Sequence, residues 1–140
     1  MTNAVPIMPT VFRVMKRAED GLPVVAPASN GLGVRPGIDI DVDHENNAIP
    51  NDKGMSVSPS WKGVISPGRI PKRLGGEGSN NSDVFVLGTG PFEQFLIADG
   101  LDLLPDSPTH GVIRPAHVVP LAQFQAALAA TRTDWRSVEV

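Results

Sequence analysis

The chain reads as an α+β protein in which short strands dominate and two helices fall toward the C-terminus. Three observations carry that reading. Apolar or alternating runs of about five residues recur along the first two thirds. The last segment repeats apolar residues at helical spacing. Between them, 14 glycines and 14 prolines among 140 residues predict many turns. A composition 41% hydrophobic and 19% charged belongs to a soluble globular protein, and the length suits one domain, 1–140, with a single core.

The elements follow in order. Met1 to Pro9 has no charged segment followed by a long apolar stretch, so no secretory signal is expected and residues 1–9 read as a flexible arm. Thr10–Met15 predicts a strand with Arg13 inside an apolar run. A guanidinium placed there must bridge to a carboxylate or face a cleft that receives an anion. Residues 16–33 are rich in turn signals, and Ile38–Asp43 alternates strictly, predicting a strand with one apolar and one acidic face.

In Lys53–Trp61 the hydroxyls of Ser56, Ser58 and Ser60 occupy alternate positions, which places them on one side of an extended strand that Pro59 ends or confines to an edge. Such a row is either a ligand-facing surface or an ordinary solvent face. Pro67–Asn81, with Gly75-Gly76-Glu77-Gly78, predicts a mobile loop. Asp83–Leu87 predicts a strand, Pro91–Ala98 a short helix stopped by Asp99-Gly100, and His110–Arg114 another strand between two prolines. Leu121, Phe124, Leu128, Thr131 and Trp135 recur at steps of 3 and 4, with Pro120 at the first helical position. They predict an amphipathic helix of about 17 residues.

Several chemistries are excluded. A net charge of −3 leaves no electrostatic footprint for nucleic acid or a membrane surface, and no apolar run approaches a transmembrane length. Cysteine is absent, so disulfides and thiolate-bound metals are out. The ladder Asp39, Asp41, Asp43 and Glu45 resembles the start of a calcium loop, but His44 and Pro50 stand where that loop needs glycine and glutamate. The glycine-rich stretch lacks the lysine and hydroxyl of a phosphate loop. His44, His110 and His117 have no pair at short helical spacing, so no metal is expected; His110 differs from the other two in sitting beside a strand start. Arg35 suits either bidentate phosphate recognition or a structural salt bridge.

Taken in order, Thr10-Val11-Phe12-Arg13-Val14, Gly37-Ile38-Asp39-Ile40, Gly54-Met55-Ser56-Val57, His110-Gly111-Val112-Ile113-Arg114-Pro115-Ala116 and the end Thr133-Asp134-Trp135-Arg136 resemble the landmarks of the Tse-two-like type VI secretion effector toxins. Those are bacterial toxins with an ADP-ribosyltransferase-like fold. The resemblance implies a compact ADP-ribosyltransferase-like domain with a mainly antiparallel split sheet and the C-terminal amphipathic helix. It implies NAD as substrate and transfer of ADP-ribose to an unidentified acceptor. In that reading Arg13 contacts ribose or pyrophosphate, Ser56 lies at the floor of the nicotinamide pocket beside Met55, and His110 contacts a ribose hydroxyl or the acceptor nucleophile as a polarising group or base; Arg35 is a further candidate for phosphate or substrate contact. Arg13, Ser56 and His110 are then the expected catalytic residues, and Arg13, Arg35, Met55 and Ser56 the expected NAD contacts.

The chain departs from the pattern in two places. Met55-Ser56 stands where the toxin has Thr-Ser, and His110 stands where ADP-ribosyltransferases often carry a glutamate. The resemblance also implies a cognate immunity protein or antitoxin, with the chain cytoplasmic or exported into a target cell by type VI secretion. The alternatives are a catalytically inactive binding domain of the same fold and a ribonuclease-type toxin, the latter disfavoured by the acidic balance.

Overall fold

Antiparallel strand pairing and one helix build the protein, whose computed structural model describes residues 7–138. The elements are β1 (Val11–Lys16), β2 (Asn47–Ala48), β3 (Met55–Val57), β4 (Ser82–Leu87), β5 (Phe95–Ala98), β6 (Leu101–Ser107), β7 (His110–Pro115), β8 (Val119–Pro120), α1 (Leu121–Ala130) and β9 (Arg136–Ser137). They form a three-stranded sheet β1-β4-β9, a four-stranded sheet β3-β7-β6-β5 and a small pair β2-β8. The α+β class expected from the sequence is the class observed.

Strand alternation explains the sequence of the first sheet. Val11 and Met15 of β1, with Phe85 and Leu87 of β4, enter the main core. Val14 and Val84, one residue out of phase, enter a second cluster with Ile70, covered by Phe12, Trp61, Ile65 and Leu74. Both faces are therefore covered, which is why every residue of β4 is buried. In the second sheet Met55, Val57, Leu101, Leu103 and Ile113 face the main core, against Phe124 and Leu128 of α1.

The predicted stripe of the last helix is buried, but the helix is shorter than expected. It ends at Ala130 and gives way to a 3-10 turn over Arg132–Asp134. The Thr131 hydroxyl donates to the Leu128 carbonyl (2.7 Å) and accepts from Trp135 Nε1 (3.0 Å). That hydroxyl occupies the carbonyl that the next helical turn would use and holds Trp135 in the core. Pro120 precedes the helix as its cap and pairs with Asn47.

Three other expectations are corrected. Ile38–Asp43 is not a strand. Asp39 folds back to accept from Arg35 N and Nε, and Asp43 accepts from the amides of Glu45 and Asn47. Ile38 is exposed while Ile40 is fully buried, so the alternation does not describe one face. Phe95–Ala98 is a strand, not a helix: it pairs with β6 through a turn at Asp99-Gly100, where Gly100 has φ +80°. Its inward residue is Ile97, with Leu96 outward, a period of two rather than 3.6.

The segment Pro67–Asn81 is fastened rather than loose. Gly78 N donates to Ile70 O (2.7 Å) and Glu77 N to Pro67 O (2.7 Å). Arg73 Nη2 reaches both the buried carboxylate of Asp83 and the Ser82 carbonyl, each at 3.0 Å. Of the expected N-terminal arm, residues 1–6 lie outside the described residues; the Met8 carbonyl accepts from the amides of Thr89 and Gly90. Among the described residues no helix is long and apolar enough to cross a membrane.

Replacing Arg73 with methionine leaves Asp83, 2% exposed, without its shorter guanidinium contact. The expected result is a loss of about 1–3 kcal/mol in urea unfolding. Faster hydrogen exchange at Gly78 should accompany it, and an unchanged unfolding midpoint would refute the fastening role.

Candidate functional site

Besides sharing the main core, the two sheets are joined by a backbone bridge. Phe12 N donates to Ser58 O (2.7 Å) and Ser58 N to Phe12 O (3.0 Å), joining β1 to the end of β3. Beside this junction lies a cleft of about 340 Å³. Arg13 from β1, Ser56 and Ser58 from the β3 segment, Ser66 and Arg69 from the following loop, and His110 from β7 supply its polar groups. Three of the residues expected from the sequence, Arg13, Ser56 and His110, therefore meet at one place.

Arg13 lines the cleft, and no carboxylate among the described residues bridges to it. It is 5% exposed, and its guanidinium donates to backbone carbonyls: Nε and Nη2 to Gly31 (3.2 and 3.0 Å), Nη2 to Ala28 (3.3 Å), Nη1 to Ser56 (2.8 Å). Four of the five N–H donors of an arginine are thereby engaged. Burial, and next the positive charge of Arg69, push its pKa down to about 10. It remains protonated at neutral pH, a buried cation solvated by the chain itself.

Ser56 owes its position to strand alternation. Met55 and Val57 are buried in the core, and Ser56 between them projects to the cleft. Met55 is thus not a cleft residue, contrary to its expected role as an NAD contact. Gly54 permits the strand's approach to β7, because a Cβ there would run into the Ile113 carbonyl. Of the other two hydroxyls, Ser58 lines the cleft and Ser60 does not.

His110 opens β7, and its Nδ1 lies 2.8 and 2.9 Å from the carboxylate oxygens of Asp106. The carboxylate can only accept, so Nδ1 carries the proton. Arg35 does not reach the cleft; its Nε and Nη2 engage the Asp39 carboxylate at 2.9 and 2.8 Å. That contact holds the Asp39 carboxyl below the usual carboxylate range. The arginine that lines the cleft beside Arg13 is instead Arg69, whose hydrogen bond among the described residues is from Nη2 to the Ser29 carbonyl at 3.0 Å.

Arg69 and Asp106 escape a reading of the sequence. Arg69 sits in Pro67-Gly68-Arg69, within a segment that reads only as turn, and Asp106 lies beyond a turn from His110, in Asp106-Ser107-Pro108-Thr109-His110. That turn is the available signal, since a tight connection between strands brings its flanks together. Among the described residues no aspartate or glutamate lines the cleft, so an acidic chain presents a cationic lining there. Its chemistry suits an anionic or phosphate-bearing ligand with hydroxyl-binding groups.

Arg13→Met would leave the carbonyls of Ala28, Gly31 and Ser56 without their donor. A loss of about 3–5 kcal/mol in chemical denaturation is expected. Ser56→Ala, at an exposed strand position, should stay within about 0.5 kcal/mol of the parent. Equal stability of the two variants would contradict this division. No protein-family model, curated protein or solved structure matches the chain.

Proposed function

We propose that this chain is a bacterial toxin domain that binds NAD in the β1/β3 cleft and transfers ADP-ribose to an acceptor, and that a cognate immunity protein or antitoxin restrains it. The observation that carries the reading is the meeting of Ser56, His110 and the guanidinium groups of Arg13 and Arg69 in one cleft without carboxylates. NAD has a pyrophosphate for a cation to hold and a glycosidic bond whose cleavage builds oxocarbenium character on the ribose. A site that grips the pyrophosphate and orients the nicotinamide lowers that barrier by positioning.

Within this reading Arg69 contacts the pyrophosphate, and the Ser56 hydroxyl orients the nicotinamide carboxamide. His110 faces the ribose and the incoming nucleophile. Arg13 builds the floor and contributes its charge from beneath, with most of its donors engaged by the chain. A second reading, ligand binding without chemistry, draws on the same lining, since no carboxylate stands in the cleft to stabilise an oxocarbenium ion.

Calorimetric titration with NAD, paired with nicotinamide release in cell lysate, tests the proposal. NAD should bind the parent protein, and Arg69→Ala should weaken binding by about tenfold or more. Arg35→Ala, whose side chain is engaged with Asp39, should leave affinity within about twofold. Binding without release supports the second reading. Absence of both sinks the NAD reading.

A further inference from the structure

We propose that Asp106 is a positioning residue that makes His110 the general base toward the acceptor nucleophile; this rests on the ADP-ribosyl transfer reading above. The β6–β7 pairing shifts by one residue, with Pro105 opposite Gly111 but Ser107 opposite His110. Asp106 is the extra, unpaired residue of that bulge. A bulge re-aims a side chain relative to its strand. Here it brings the Asp106 carboxylate within 2.8 and 2.9 Å of the His110 ring, four residues on across the hairpin. Pro105, which has no amide hydrogen to offer the ladder, stands beside the bulge.

The pairing fixes the tautomer. With the Nδ1 proton given to Asp106, Nε2 keeps its lone pair, and no described residue is bonded to it. His110 lines the cleft, and Nε2 is the ring nitrogen left to accept a proton. The step then balances. The acceptor's X–H attacks the ribose C1′; the new X–C1′ bond forms as the bond from C1′ to the nicotinamide nitrogen breaks. That bonding pair leaves with the nicotinamide and neutralises its ring cation, and the X–H proton moves to His110 Nε2. Asp106 touches neither substrate nor the reacting atoms; it orients the imidazole and stabilises the imidazolium that forms. A histidine oriented by a carboxylate thus supplies the proton acceptor in a cleft lined by no carboxylate.

Nicotinamide release from NAD, with water as the acceptor and again in cell lysate, should be measured for the parent, Asp106→Asn, His110→Gln and the double variant. Asp106→Asn should lower kcat by about tenfold to a hundredfold while KM for NAD stays within about twofold. The double variant should be no slower than His110→Gln alone, because the two residues act as one unit. Nitrogen NMR of the His110 ring at about pH 9, above the ordinary imidazole range, should show the Nδ1–H tautomer in the parent and its loss in Asp106→Asn. An active parent with undiminished Asp106→Asn overturns this proposal and leaves the NAD reading standing. A predominant Nε2–H tautomer in the parent also overturns it. A parent that binds no NAD and releases no nicotinamide removes the reading beneath it, and the proposal falls with it.

Discussion

A charged arginine buried between two sheets has to be solvated by something, and in this protein the backbone does it. The Arg13 guanidinium draws the carbonyls of Ala28 and Gly31 from one loop and that of Ser56 from β3 toward β1. Removing such a cation from water costs several kcal/mol, and only well-placed acceptors offset that. The loop after β1 and the short serine strand are therefore tied to one side chain. The cleft lies beside the Phe12–Ser58 bridge that holds β1 to the end of β3. No described carboxylate bonds to the Arg13 guanidinium, and the positive charge of Arg69 adds to burial in lowering its pKa.

The remaining cleft groups stand on supports of graded firmness. Ser56 lies on a strand whose neighbours Met55 and Val57 are anchored in the core. His110 begins a strand paired on both sides and is braced by the bulged Asp106. Arg69 belongs to the long segment before β4, an exposed side chain on a backbone that Arg73 clamps to Asp83. A ligand would thus meet a floor held by paired strands and an exposed cation from the loop.

Much of this was legible in the sequence wherever one local pattern dominated. β1, β4 and β7 follow from apolar runs bounded by turn residues, and the stripe from Phe124 to Trp135 is buried as its spacing requires, with Leu121 half-buried at its start. The reading failed where side chains outcompeted periodicity. Asp39 and Asp43 captured nearby amides and broke an alternating run into turns. Thr131 captured a helical carbonyl and ended α1 early. Phe95–Ala98 is too short for periodicity to separate helix from strand, and its pairing with β6 decided it. At the site, Arg13 and His110 were picked out by residue type and neighbourhood, and Ser56 among the alternating serines by the family resemblance. Arg69 and Asp106 were not, because their contribution comes from loop placement and a bulge that no local pattern announces. Met55 and Arg35 drew attention by sequence position, but one packs in the core and the other is occupied by Asp39.

The proposed occupation of the β1/β3 cleft by NAD is tested most directly by backbone amide chemical-shift mapping during an NAD titration. The account predicts saturable shifts at Ser56, Val57, Ser66, Arg69, Thr109 and His110, the residues that line the cleft. Shifts confined to the neighbouring pocket around Trp61 and Gly75-Gly76, or none at all, would contradict it.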